Sequence, residues 1–110
     1  MAGNQGMAHV FLATGDLAPD RANYDESFAA TAHVLRAADL TFGQLETSFA
    51  ERGSRLPQAR HAVLARPEGA AALGRAGFDI ISMAGNDCMD WGQEAFFESK
   101  GDLGAAHKAV

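Results

Sequence analysis

Acidic and amide side chains follow three short apolar runs of the chain, and these residues are best suited to chemistry. Asp16 follows the first run, Glu46 the second, and Asn86, Asp87 and Asp90 the third. Crowded carboxylates repel one another unless a proton or a cation lies between them, and hard divalent cations prefer oxygen ligands. If folding brings these groups together, the sequence predicts a divalent-metal site. Such a metal could polarise a phosphoryl oxygen and activate a bound water.

Each of these residues also has a simpler structural interpretation. A Gly-Asp pair after a strand is common in turns, so Asp16 could be a turn residue, and Glu46 could be a surface acid. Asn86 could tolerate a left-handed backbone after Gly85, and Asp90 could cap a helix. The prediction of a metal site therefore depends on the elements that position these groups.

The three apolar runs are predicted to be strands. They cover residues 9–13, 40–45 and 78–84, and the first is typical of a buried parallel strand. Helical segments separate and follow them, which gives the order β-α-β-α-β-α and predicts an α/β fold with a parallel sheet. Because parallel strands share one carboxyl edge, where open α/β sheets bind ligands, the acidic residues are expected to converge there.

The helices are predicted from periodicity and from residues typical of helix ends. Residues 25–38 carry apolar side chains at helical spacing, and Pro67 and Gly77 suit the start and end of a second helix. A third helix is predicted from about Gln93, although two later glycines weaken that prediction.

Size and composition limit the class of protein. The chain has 110 residues, 47% of them hydrophobic, with 14 acidic and 9 basic side chains and a net charge of -5. This suits one small globular domain over 9–110 after a disordered N-terminus over 1–8, and it argues against nucleic-acid binding. Without a signal peptide or a run of ~20 apolar residues, we expect a cytoplasmic protein with no membrane span.

Other sites are less well supported by the sequence. Cys88 is the only cysteine, which excludes an internal disulfide and favours an inert buried thiol, and the four histidines lack the spacing of a zinc pair. Residues 50–66 form a predicted connection with one acid and four arginines. This basic island is either a solvated loop or, through Arg60 and His61, a surface that faces an anionic substrate.

The residues at the three strand ends resemble the motifs of a known family. The motifs are Thr14-Gly15-Asp16, Gly43-Gln44-Leu45-Glu46-Thr47 and Ala84-Gly85-Asn86-Asp87-Cys88-Met89-Asp90-Trp91-Gly92. They resemble the bacterial capsule-synthesis family (CapA-type, poly-γ-glutamate synthesis) of the calcineurin-like metallophosphoesterase superfamily. The resemblance runs from about residue 9 to about residue 100 and implies the first half of an α/β/β/α sandwich.

The resemblance also implies the residues of a metal site. The ligands that it implies for a Mn, Mg, Fe or Zn ion are Asp16, Glu46 and Asn86. The supporting residues that it implies are Gln44, Asp90 and Gly92. Asp87 stands where the family has a histidine that is thought to donate a proton to the leaving group. An aspartate has an ordinary pKa of about 3.9 against about 6.5 for histidine, so it is the wrong species at neutral pH.

Two hypotheses about function follow from the sequence. The first is a partial metallophosphoesterase-type protein, truncated at its C-terminal side, whose ancestral substrate is a phosphoester or an anionic polymer. We expect the activity of this chain alone to be weak or absent. The alternative is a non-catalytic binding or assembly module that self-associates through an open sheet edge, or a fragment without function.

Overall fold

The computed structural model describes residues 8–60 and 63–106, and it has a mixed α/β fold. In chain order the elements are β1 (Phe11–Leu17), a short 3₁₀ helix (Tyr24–Ser27), α1 (Ala32–Ala37), β2 (Leu40–Leu45), β3 (Ser48–Phe49), β4 (Leu64–Ala65), α2 (Glu68–Ala76), β5 (Ile80–Ser82) and α3 (Gly92–Ala106). The main sheet has the strand order β1-β2-β5, and β3 pairs with β4 in a small second sheet. All of these pairings are parallel, so the predicted fold class is confirmed.

β1 is an edge strand, and the prediction that it is buried is wrong. It pairs with β2 on one side, and of its side chains only Leu17 is buried. Phe11 is 57% exposed and the preceding Val10 is 49% exposed. Apolar composition predicts a strand, but burial also requires elements that cover its faces, and β1 has few among the described residues.

β1 also extends further than its apolar run. The sequence predicts that it ends before Gly15, whereas it continues to Leu17. Ala13 pairs with Phe42 and Asp16 pairs with Gln44, so two residues of β1 oppose one residue of β2 between these pairs. This bulge lets the pairing continue, and it places Asp16 in the strand rather than in the turn that follows it.

The helix predicted over residues 25–38 is divided into two shorter elements. The 3₁₀ helix begins where Asn23 Oδ1 accepts a hydrogen bond from the Asp25 N–H at 3.1 Å. α1 begins only at Ala32, after a turn that starts at Phe28. The Asn23 side chain therefore caps the start of the 3₁₀ helix, and the turn that starts at Phe28 separates this helix from α1.

The other two helices are found where the sequence predicts them. α2 ends at Gly77, which has a φ of +112° in the left-handed region that glycine adopts readily. α3 continues through its two internal glycines, because Ala95, Ser99 and Leu103 on its buried face pack against the core. Across residues 8–60 and 63–106, no helix combines the length and apolarity that crossing a membrane requires.

The core joins α2 and α3 to the strands. Its largest fully buried apolar side chains are Phe49, Leu45, Leu73, Ile81 and Leu103. The buried Ser99 hydroxyl lies 2.8 Å from the Ala95 carbonyl oxygen on its own helix and accepts the Phe49 N–H at 2.9 Å. This hydroxyl therefore ties α3 to β3.

We expect Ser99→Ala to lower the free energy of unfolding by about 1–3 kcal/mol, because the buried Phe49 N–H loses its acceptor. Alanine is the better helix former, so helix propensity alone predicts the opposite sign. Urea denaturation followed by circular dichroism measures the change. The exposed Ser54 donates only its backbone N–H, so Ser54→Ala should change stability by less than about 0.5 kcal/mol. Unchanged stability in Ser99→Ala would contradict the expectation.

Asp102 on α3 has an unfavourable environment for a charged carboxylate. Its Oδ2 is buried and has no hydrogen-bond partner in the described part of the chain. Burial raises the pKa of the Asp102 carboxyl, and the charges of Glu98, Glu51 and Glu68 raise it further. An acid whose pKa is raised by folding binds its proton more tightly in the folded state, so its ionisation lowers stability as pH rises above its ordinary value.

We expect Asp102→Asn to raise the Tm at pH 7 and to have a smaller effect at pH 4, where a larger fraction of Asp102 is protonated. The measurement is thermal unfolding at both pH values in a chelating buffer. Glu26→Gln, which removes an exposed carboxylate, serves as the control for the change in net charge. A loss of stability at pH 7, or an equal gain at both pH values, would show that the Asp102 charge is not unfavourable.

Candidate functional site

The pairing of β1 with β2 brings Asp16 and Gln44 side by side at the carboxyl edge of the main sheet. Gln44 Nε2 donates a hydrogen bond to Asp16 Oδ1 at 3.0 Å. Gly85, just after β5, lies against the same amide, since a Cβ at that position would be 3.0 Å from Gln44 Nε2. Gln44 therefore orients Asp16 and also contacts the loop that follows β5.

Glu46 links the end of β2 to that loop. Its backbone N–H donates to the Leu17 carbonyl oxygen at 2.9 Å, which fixes Glu46 beside β1. The neighbouring Asp87 carboxyl is the largest cause of a raised pKa of Glu46. Partial burial and the nearby Asp16 carboxylate raise that pKa further. The carboxyl groups of Asp16, Glu46 and Asp87, which come from three strand ends, are therefore neighbours.

The segment before β4 holds the loop after β5 in place. The Leu56 N–H donates to the Asp90 carbonyl oxygen at 2.8 Å, and the Ser54 N–H donates to the Trp91 carbonyl oxygen at 3.1 Å. Gly53 allows this close approach, because it has a φ of +128° and a Cβ there would lie 2.6 Å from the Trp91 oxygen. The site loop is therefore anchored through its backbone.

A cavity of about 410 Å³ lies beside this loop, and its lining includes Asn86, Asp87, Asp90 and Arg60. Burial raises the pKa of the Asp90 carboxyl, the neighbouring Asp87 raises it further, and Arg55 lowers it. Asp90 is thus a fourth acid of the same acidic edge. Asn86 is exposed and lies at the mouth of this acidic region with Asp87.

The predicted residues do not form a closed coordination shell: Asp16 and Glu46 are neighbours, whereas Asn86 lines the adjacent cavity with Asp87. Within residues 8–60 and 63–106, no three His, Cys, Asp or Glu side chains are arranged as a metal-holding group. The carboxyl groups of Asp16, Glu46 and Asp87 nevertheless interact strongly enough to change the ionisation of Glu46. Their oxygen donors fit a hard divalent cation by type and by charge.

The basic island of the sequence is dispersed in the structure. Arg52 forms ion pairs with two glutamates of α3, Arg55 donates to a carbonyl oxygen within its own loop, and Arg66 bonds to a tyrosine hydroxyl. These three arginines stabilise the fold. Arg60 forms no hydrogen bond or ion pair within the described ranges and lines the cavity beside Asp87. His61 lies outside the described residues.

Sequence reasoning missed a second cavity, at the carboxyl end of β1. Its volume is about 540 Å³, and its lining residues are Asp16, Leu17, Ala18, Pro19, Asp20, Arg21, Ser27 and Phe28. Arg21 forms no hydrogen bond or ion pair with any residue that the structure describes. The sequence offered one signal for this cavity: Arg21 lies in the loop that follows β1, five residues after Asp16.

The chain is similar to known bacterial proteins. Two proteins of Sinorhizobium fredii, the uncharacterized proteins y4uA and y4sH, are 34% and 33% identical to it over 98 residues. Each alignment covers 82% of this chain and 21% of the relative, so the chain spans about a fifth of the length of these curated relatives. Residues 5–107 match the model of the bacterial capsule synthesis protein PGA_cap. The chain therefore belongs to the PGA_cap family of bacterial capsule synthesis proteins, as its strand-end motifs predict.

Proposed function

We propose that this chain carries part of a divalent-metal site of the phosphoesterase type, with Asp16, Glu46 and Asn86 as its ligands. The observation that supports this most directly is the crowding of Asp16, Glu46 and Asp87, which raises the pKa of Glu46. Such crowding is unfavourable unless a proton or a cation intervenes. Mn, Mg, Fe and Zn are all compatible with the oxygen donors, and the donor set alone does not select one.

Each residue of the edge has a role in this proposal. Gln44 holds the Asp16 carboxylate through its amide, and Gly92 and Asp90 shape the loop that presents Asn86. When bound, the cation would supply Lewis-acid polarisation of a phosphoryl oxygen and a lowered pKa for a bound water. The protein groups would fix the position of that chemistry at the sheet edge.

Asp87 is the reason to propose weak or absent hydrolysis by this chain alone. It stands where the resemblance implies a histidine that donates a proton to the leaving group. An aspartate is a poor proton donor at neutral pH, and its negative charge repels an anionic substrate. Membership of the PGA_cap family points to a capsule-synthesis function, and we assign hydrolysis of a phosphoester or an anionic polymer to family members that carry a complete site.

A second candidate function is an assembly module, and the exposed edge of the main sheet supports it. Among residues 8–60 and 63–106, β1 has one pairing partner, and the exposed Phe11 and Val10 lie at its start. Leu40, the register partner of Phe11, is also exposed. Unpaired strand edges with apolar side chains favour association, so a second copy of this chain is the partner we propose.

We expect Mn²⁺ to bind the chain and to raise its Tm, because a cation relieves the repulsion among the three carboxylates. Isothermal titration calorimetry measures the affinity, and thermal unfolding measures the shift. Asp16→Asn and Glu46→Gln should each weaken Mn²⁺ binding by about tenfold or more, since each removes a charged ligand. In chelator, Glu46→Gln should by itself raise the Tm at neutral pH, because Glu46 no longer adds a charge beside Asp87 and Asp16.

The matched control for the metal experiment is Asp39→Asn. Asp39 lies at the amino ends of the strands, where its Oδ2 accepts the Val10 N–H at 2.6 Å. This variant should leave Mn²⁺ affinity unchanged. Mn²⁺ binding that is unaffected by Glu46→Gln would contradict the ligand assignment. Efficient turnover of an aryl phosphate with Mn²⁺, abolished by Asp16→Ala, would contradict the proposal of weak hydrolysis.

The assembly proposal predicts a concentration-dependent dimer. Phe11→Lys should shift the equilibrium towards monomer, because a lysine at the strand edge disfavours apolar contact and edge pairing. Sedimentation velocity measures the species, and Val34→Lys, which changes an exposed apolar residue of α1, is the control. A wild-type chain that stays monomeric and folded at high concentration would exclude self-association through this edge.

A further inference from the structure

We infer that the cavity at the carboxyl end of β1 binds an organic anion, with Arg21 contacting the anionic group and Phe28 the apolar part. The inference rests on the proposed function, because this cavity shares Asp16 with the proposed metal site. It extends that function by adding a substrate-binding residue and by defining the chemistry of the ligand. The ligand class is an organic phosphate or phosphonate whose anionic end is attached to an apolar group.

The free guanidinium of Arg21 is the first observation. The guanidinium groups of five other described arginines bond to carbonyl, carboxylate or hydroxyl oxygens of the protein, and they belong to Arg36, Arg52, Arg55, Arg66 and Arg75. Arg21 has no such partner among residues 8–60 and 63–106, so its five N–H donors remain available. A planar guanidinium forms paired hydrogen bonds with phosphate oxygens, which favours an oxyanion as its partner.

The shape of the cavity is the second observation. Its volume of about 540 Å³ falls within the range of small-molecule sites. Leu17 and Pro19 are buried beneath it, and the half-buried Phe28 is held by an edge-to-face contact with Phe78 at a centroid distance of 5.7 Å. A fixed aromatic ring and an aliphatic floor favour an apolar group on the ligand. The Ser27 hydroxyl adds a hydrogen-bond donor to the lining.

The charges of the lining predict that anion binding depends on the cation. Asp16 and Asp20 both line the cavity with Arg21, so two carboxylates face one guanidinium. This balance repels an anion in metal-free protein. A divalent cation that neutralises Asp16 makes the net charge of the lining favourable to an anion. Arg21 and the cation site share this cavity. Anion affinity should therefore increase when Mn²⁺ is present.

The test is calorimetric titration of the full chain with phenylphosphonate, a non-hydrolysable organic anion, with and without Mn²⁺. The wild type should bind phenylphosphonate more tightly in Mn²⁺ than in chelator. Arg21→Gln should weaken that binding by about tenfold while leaving Mn²⁺ affinity unchanged, and Arg21→Lys should retain part of it. Because the Arg21 side chain is exposed and bonds to no described residue, these variants should fold, which circular dichroism verifies.

Two controls separate the contributions of charge and shape. Lys100→Gln removes one exposed positive charge away from this cavity and should leave phenylphosphonate affinity unchanged. Methylphosphonate lacks the aromatic group and should bind the wild type less tightly than phenylphosphonate. Equal affinity for the two phosphonates would overturn the role of Phe28, and wild-type affinity in Arg21→Gln would overturn the role of Arg21.

Failure of the proposed metal site has a different signature. In that case the wild type would not bind Mn²⁺ at all. The role of Arg21 is tested separately, by the binding of phenylphosphonate. The anion site is then tested by titrating the wild type and Arg21→Gln with phenylphosphonate in chelator, at higher phosphonate concentrations. Binding that is lost in Arg21→Gln would support the anion site, and no binding to the wild type would overturn it.

Discussion

The parallel pairing of β1 with β2 is the interaction on which the candidate site depends. The bulge between Ala13 and Asp16 lets β1 stay paired with β2 as far as Leu17. The Asp16 carboxylate thereby accepts a hydrogen bond from the Gln44 amide. The Glu46 backbone then bonds to the end of β1. Without this register, the acidic groups would still follow three strands, but they would not reach one another. Backbone pairing therefore sets the electrostatics of the edge.

Positive and negative side chains have different structural roles in this chain. The acids at the sheet edge are crowded and raise the pKa of Glu46, so the fold does not satisfy them internally. Most arginines are used to hold loops and helices together. Arg21 and Arg60 are the exceptions among the described arginines, and each lines a cavity next to the acidic edge. This distribution favours a ligand that carries negative charge and reaches the edge together with a cation.

The parallel sheet of β1, β2 and β5 could be predicted from the sequence, because short apolar runs with polar ends define its strands. The division of the first helix could not, because the turn over residues 28–31 interrupts a stretch whose apolar spacing is helical throughout. The exposure of β1 depends on which other elements pack against its faces, and the spacing of apolar residues in the sequence does not reveal this. The Arg21 cavity was missed because it is formed by the return of the chain towards Phe28, a tertiary effect.

Gly53 makes the acidic edge depend on a residue that carries no acid. It lies in the connecting segment between β3 and β4, far in sequence from the loop after β5, yet its bare Cα faces the Trp91 carbonyl oxygen of that loop. Any side chain there would need both a disfavoured φ and a shift of the peptide that follows Trp91. Natural variation at this glycine would therefore separate family members that keep a competent edge from members that keep only its residues.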